Sequence, residues 1–120
     1  MKTLLYRVGQ EPIDCEAEIA DFPAVIGAPE IEWMTVRFLK LCIVRDSRNA
    51  ESGKPVCRVL GKTPIYGDFL VTCIDWDDEG NTEATSITDG FASMAKHMIV
   101  SDNYGKDAGL KADADTESEA

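Results

Sequence analysis

Basic residues are scarce in this chain, and paired metal-ligand and nucleotide-binding motifs are missing from it. The 120 residues carry 12 Lys and Arg against 22 Asp and Glu, a formal net charge of -10. Affinity for nucleic acid comes largely from neutralising phosphates, so this sign argues against direct nucleic-acid binding. The same field repels anionic membranes. No apolar run approaches the length of a membrane span, and Met1–Arg7 is charged too early and is too short for a secretory leader. The expected setting is therefore cytoplasmic.

Histidine is reduced to one residue, His97, and the four cysteines, Cys15, Cys42, Cys57 and Cys73, form no C-x-x-C pair. Zinc sites need close Cys/His pairs, which excludes the usual zinc patterns, and no cofactor is expected. Each cysteine sits in an apolar, strand-like run and is read as a reduced thiol acting as a small hydrophobe. P-loop, G-x-G-x-x-G and H-E-x-x-H motifs are absent. Ser93 precedes His97 by four residues but lacks the G-x-S-x-G setting of a hydrolase nucleophile. A binding protein is expected, not an enzyme.

What the chain does have is a 44% apolar fraction, enough for one core in one small domain. A domain of this size is marginally stable, which leaves room for a partner or a homo-oligomer. The acidity is not confined to the C-terminus. Residues 101–120 hold six acids against two bases, and the preceding hundred hold sixteen against ten. The folded body thus carries -6, a charge that solubilises and also favours a partner with a basic surface.

Period-two alternation marks Lys2–Val8 and Ile13–Ile19 as strands joined by a Gly9–Pro12 turn. Ile13, Cys15, Ala17 and Ile19 are expected to face the core. Asp21, Pro23 and Gly27 have the spacing of a cap, first turn and stop for a short helix or turn. Ile31–Val44 is long for one strand, so a break is expected near Phe38–Lys40. Arg45–Pro55 reads as a loop, Val56–Leu60 as a strand, and Phe69–Ile74 as a central strand buried on both faces. Thr82–Ser86 reads as an edge strand. Thr88 caps an amphipathic helix with Phe91, Met94, Ala95, Met98 and Ile99 on one side. Periodicity stops at residue 101. The expectation is an α+β fold: residues 1–100 form a mainly antiparallel sheet with one C-terminal amphipathic helix, and 101–120 a disordered acidic tail.

Two constellations invite a site. Asp75, Asp77, Glu79 and Gly80 mimic the opening of a calcium loop, but Ser86 stands where the bidentate glutamate belongs, so an acidic hairpin turn is expected. Gly67 and Asp68 open the central strand, where a glycine permits close approach by backbone or ligand. The candidate binding residues are Gly67, Asp68, Arg37, Arg45, Arg58 and Trp76. Arg37 and Arg45 share a face if the strand between them runs straight, and a basic pocket there would suit a nucleotide signal as an alternative ligand. Trp33 or Trp76, if exposed, would anchor an interface.

Several blocks together resemble an uncharacterised family, a domain of unknown function, of small proteins encoded by phages and conjugative elements. They are Met1–Leu5, Gly27 before Ile31-Glu32, Leu41–Asp46, Gly53-x-Pro55, Ile65–Val71 and Ser86–Thr88. Family members often carry an asparagine–arginine pair where this chain has Cys57-Arg58. The resemblance supplies no catalytic residues. It implies a mobile-element origin, a host cytoplasm and an accessory role. Joined to the acidic surface and the missing catalytic set, it leads to an expectation of action by binding, such as inhibition of a host defence or nucleic-acid-handling protein.

Overall fold

The computed structural model describes residues 1–36, 40–60 and 62–99. Arg37, Phe38, Leu39 and the 101–120 segment lie outside the described residues; of the break expected at Phe38–Lys40, Lys40 is described and is a turn residue with φ 55°. Among the described residues there are eight strands: β1 Lys2–Tyr6, β2 Ile13–Glu16, β3 Ile31–Val36, β4 Leu41–Asp46, β5 Val56–Leu60, β6 Thr63–Tyr66, β7 Phe69–Trp76 and β8 Thr82–Thr85. Two helices accompany them, α1 Phe22–Ile26 and α2 Asp89–Met98. Every pairing is antiparallel.

The central strand is β7. Its run Phe69–Ile74 is buried throughout, as expected of a strand covered on both faces. β4 pairs along one side through Leu70–Cys73. The other side is shared end to end: β1 takes Phe69–Val71 and β8 takes Cys73–Trp76. A bond from the Ile87 N–H to the Lys2 carbonyl, 2.9 Å, joins the two where they meet. β2 and β3 form the outer edges of the sheet order β2-β1-β7-β4-β3.

One face of the sheet carries the larger core: Leu4, Tyr6, Leu41, Ile43, Phe69, Val71 and Cys73. It is roofed by α2 and by the separate β5–β6 hairpin, which adds Cys57 and Ile65. Thr88 caps α2 by accepting a hydrogen bond from the Phe91 N–H. The helix lies rotated from the expected face. Ala92, Ala95 and Ile99 are buried, Phe91 and Met94 flank them, and Met98 is exposed. Alanines against the sheet let the helix axis approach closely, which pushes the longer side chains to the rim.

The second face is covered less completely. α1 starts after Asp21, has Pro23 in its first turn, and ends at Gly27 with φ 66°, a left-handed stop that glycine accepts without strain. Its Phe22 and Ile26 pack on Leu5, Val44 and Leu70. The alternation expected over Ile13–Ile19 is only partly met. Ala17 is buried and Cys15 half-buried, while Ile13 and Ile19 are exposed, at 48% and 46%. β2 is an edge strand and ends at Glu16, so its outer residues lie beyond the cover that α1 gives. The long apolar segment Ile65–Ile74 also divides. Thr63–Tyr66 closes the β5–β6 hairpin, and only from Phe69 does the chain enter the main sheet.

A buried carboxylate ties the periphery to this frame. Asp46, at the end of β4, is 1% exposed. It accepts from Arg48 Nε at 3.1 Å, Arg48 Nη2 at 2.7 Å and the Arg48 backbone N–H at 2.9 Å. Lys54 Nζ stands 3.0 Å from the same carboxylate and donates to the Gly27 carbonyl at 2.7 Å. These bonds hold the carboxyl well below its ordinary range, with the Arg48 side chain the largest cause. Because the folded-state pKa is depressed, the stabilisation is present above the unfolded value of about 3.9 and is lost as pH falls below it. Asp46→Asn should lower stability by about 3–5 kcal/mol at neutral pH. In urea titrations its penalty should shrink between pH 6 and pH 3; a penalty independent of pH would contradict this role.

All four cysteines are free thiols, and all but Cys15 are buried. Burial pushes Cys57 up to about 12 and Cys42 up to about 11, and raises Cys73. Thiolate is the reactive form. A thiol reagent should therefore titrate one cysteine rapidly in the folded protein and the others only on unfolding, and Cys15→Ser should abolish the rapid phase.

Candidate functional site

The open part of the second face forms a groove of about 590 Å³ lined by Ile19, Trp33, Thr35, Cys42, Ile74, Thr82, Glu83 and Ala84. Its origin can be traced through the register. One transverse row of the sheet is large and apolar: Ile13, Leu5, Leu70, Val44 and Trp33 face one another across successive strands. The next row on that face is short and polar. It includes Thr72, Cys42 and Thr35, with Thr3 beside Cys15 farther along. Beyond it Ile74 faces Ala84. Short side chains between two apolar rows leave a depression. With five residues, α1 is only about 7 Å long, enough to cover Leu5, Leu70 and Val44 in the middle of the first row and no more.

Trp33 forms one wall. It is 41% exposed and leans on Phe22 with ring centroids 5.9 Å apart, so an apolar body is held in place while part of its surface meets solvent. Trp76 belongs to the same face by alternation along β7 and is half-buried. The turn after it is the acidic hairpin expected from the sequence. Asp77 accepts from the Glu79 and Asn81 backbone N–H groups, each at 2.9 Å, and its carbonyl accepts from the Gly80 N–H. These bonds to backbone N–H groups and to the Asn81 side chain lower the Asp77 pKa, Asn81 being the largest cause.

Charge is divided along the chain in a way that the total conceals. Residues 63–95 hold seven acids and no lysine or arginine, and residues 13–30 hold five acids and none. Residues 31–62 hold seven bases against three acids. The β7–β8 hairpin therefore carries Asp75, Asp77, Asp78, Glu79 and Glu83, of which Glu83 lines the groove, while β3 and β4 lie in the segment where bases prevail.

The expected basic cluster has a different arrangement. Arg45 is 8% exposed and donates through Nε to Glu32 Oε1 at 3.3 Å. Arg58 is fully buried. It donates to the Cys57 carbonyl at 2.8 Å and to the Gln10 carbonyl, and its guanidinium lies 5.3 Å from the Tyr6 ring centroid. Tyr6 in turn stacks on Phe69, centroids 4.7 Å apart. Arg58 thus fastens the β5–β6 hairpin to the turn after β1. No straight strand runs from β3 through β4, because the two pair antiparallel from Ile31–Asp46 to Val36–Leu41.

Gly67 and Asp68 make the junction between hairpin and sheet. Asp68 Oδ1 accepts the Val8 N–H at 3.1 Å, and the Gly67 N–H bonds to the Pro55 carbonyl. Gly67 has φ 79°, and a Cβ there would stand 2.5 Å from Lys54 Cδ. The close approach that its glycine permits is thus made by the lysine that reaches Asp46. Of the five described residues among the six singled out in sequence, only Trp76 shares the face of the groove. Trp33 was anticipated as an anchor if exposed. Thr35, Cys42, Ile74, Thr82, Glu83 and Ala84 carry no motif, and their convergence depends on register.

Among the described residues, no group of three or more His, Cys, Asp or Glu is placed to hold a metal ion, and no helix is long and apolar enough to cross a membrane. No family model, curated protein or solved structure matches the chain.

Thr72 lies next to Cys42 with its hydroxyl buried and without a hydrogen-bond partner among the described residues. An unsatisfied buried hydroxyl destabilises by about 1–3 kcal/mol. Thr72→Val should raise the urea midpoint, with a gain of roughly 1 kcal/mol; a loss of stability would show that the hydroxyl has a partner in solution.

Proposed function

We propose that this chain is a non-catalytic accessory protein of a phage or other mobile element. It acts in the host cytoplasm by binding a host protein with a basic surface, not nucleic acid or membrane. The observation that carries the reading is the groove itself: an open apolar trough with a half-exposed tryptophan in its wall, bounded by a hairpin rich in acids. Such a site suits a segment that combines an aliphatic or aromatic anchor with flanking lysines or arginines. The apolar anchor supplies affinity and the acids supply encounter rate and choice of partner. A host protein that handles nucleic acid presents such basic surface in its own binding groove, so occupation by this chain would inhibit it.

The test is capture from host lysate on the immobilised full chain, with the retained protein identified and then purified. Binding should weaken roughly tenfold or more between about 50 and 300 mM salt, as expected for exposed charges beyond a Debye length. Trp33→Ala and Glu83→Lys should each reduce it while leaving far-UV circular dichroism unchanged. Capture that ignores salt and both substitutions, or no partner at low salt, would refute the proposal.

A further inference from the structure

The outer edge of β3 is open: among the described residues it pairs only with β4. Which backbone groups it presents follows from the register. Ile31 faces Asp46 and each later pair steps by one, so Glu30 faces Ser47. The Ser47 N–H bonds to the Glu30 carbonyl at 3.1 Å, which makes this a hydrogen-bonded pair. Bonded and non-bonded pairs alternate in an antiparallel ladder, so Glu32, Met34 and Val36 turn their N–H and C=O groups toward β4. The bond from the Ile74 N–H to the Lys40 carbonyl fixes the β4–β7 ladder in the complementary phase, with Cys42 and Val44 directed to β7. Ile31, Trp33 and Thr35 therefore offer their backbone groups to the open edge. The side chains of Trp33 and Thr35 line the groove.

We infer that this edge pairs with the same edge of a second copy, giving a two-fold dimer with a continuous sheet. A dyad at Trp33 sets Trp33 against Trp33, Ile31 against Thr35, and Glu32 against Met34. All outward groups then find partners, two tryptophans meet across the strands, and no acid opposes an acid. A dyad at Ile31 would instead place Glu32 opposite Glu30 and the imino nitrogen of Pro29 opposite Trp33, losing a donor and setting like charges together.

Charge selects this edge for self-association. Residues 31–48 carry Arg37, Lys40, Arg45 and Arg48 against Glu32 and Asp46, so two copies of a strongly acidic protein approach there with least repulsion. The strand also lacks the usual protections of an edge. It has six residues, no proline and no register shift, and its single charge, Glu32, is paired to Arg45. A closed two-fold pairing satisfies both copies at once and leaves no further β3 edge for a third.

Sedimentation equilibrium of the full chain should show a monomer–dimer equilibrium that shifts toward dimer as salt screens the net charge, the opposite sign from binding a basic partner. Thr35→Pro removes an outward N–H and no β3–β4 bond, so it should give a folded monomer. A wild type that stays monomeric at roughly 1 mM, the weak limit of specific association, would overturn the proposal, as would a Thr35→Pro dimer. Should that variant unfold, Trp33→Lys serves as the second one, and its persistence as a dimer would equally overturn it. Hydrogen exchange gives an independent reading. The amides of Ile31, Trp33 and Thr35 should gain protection as concentration rises. Protection of those amides that is independent of concentration would assign the edge to the chain's own residues and refute the dimer. None of these outcomes depends on whether a host partner is found.

Discussion

A strand that is apolar on both faces must be covered on both, and β7 imposes that requirement on the whole domain. With Phe69–Ile74 buried throughout, each neighbour is either a strand that pairs with β7 or a layer that roofs it. β4 takes one side, and β1 and β8 divide the other. α2 and the β5–β6 hairpin roof one face with a large cluster, whereas five-residue α1 covers only part of the second. The groove is what remains where this cover stops, and it is a consequence of layer coverage more than of any local motif.

Polar residues buried at the margins connect those layers. Asp46 gathers Arg48 and Lys54, and Lys54 reaches on to the stop of α1 at Gly27. Arg58 links the hairpin to the turn after β1 while lying over the Tyr6–Phe69 stack. Each joins elements distant in sequence through bonds to a carboxylate or to backbone carbonyls, and burial makes such bonds costly to lose once formed. Much of the positive charge of this acidic protein is thereby used inside it. Arg45 and Arg58, two of the arginines suggestive of ligand binding in the sequence, serve internal joints, and the hairpin of β7 and β8 carries acids without bases.

This distribution gives the two sides of the sheet different tendencies. The side of β8 carries acids without bases nearby in sequence, which favours encounter with a basic surface. The β3 side combines relative neutrality with an unpaired ladder. The two proposed associations would share the Trp33 and Thr35 wall of the groove and respond to salt in opposite directions.

The sequence by itself determined most of the local structure. Proline and glycine bound α1 at Pro23 and Gly27, whereas Asp21 accepts the Glu18 N–H and gives the helix no side-chain cap; Thr88 starts α2; the unbroken apolar run marks β7 as central; and Asp77 with Gly80 and Asn81 makes the acidic turn. These signals are legible because each acts within a few residues through capping, φ restriction or periodicity. Tertiary structure decided the rest. Alternation could say that Ile13 and Ile19 share a face, but not that the cover over it would end before reaching them. Likewise, nothing local in Thr35, Cys42, Ile74 or Ala84 marks a groove, since it arises from short side chains brought into one row by the register of strands far apart in the chain. Acidity was evident from the first count of residues. Where it meets solvent was decided by which bases folding placed inside.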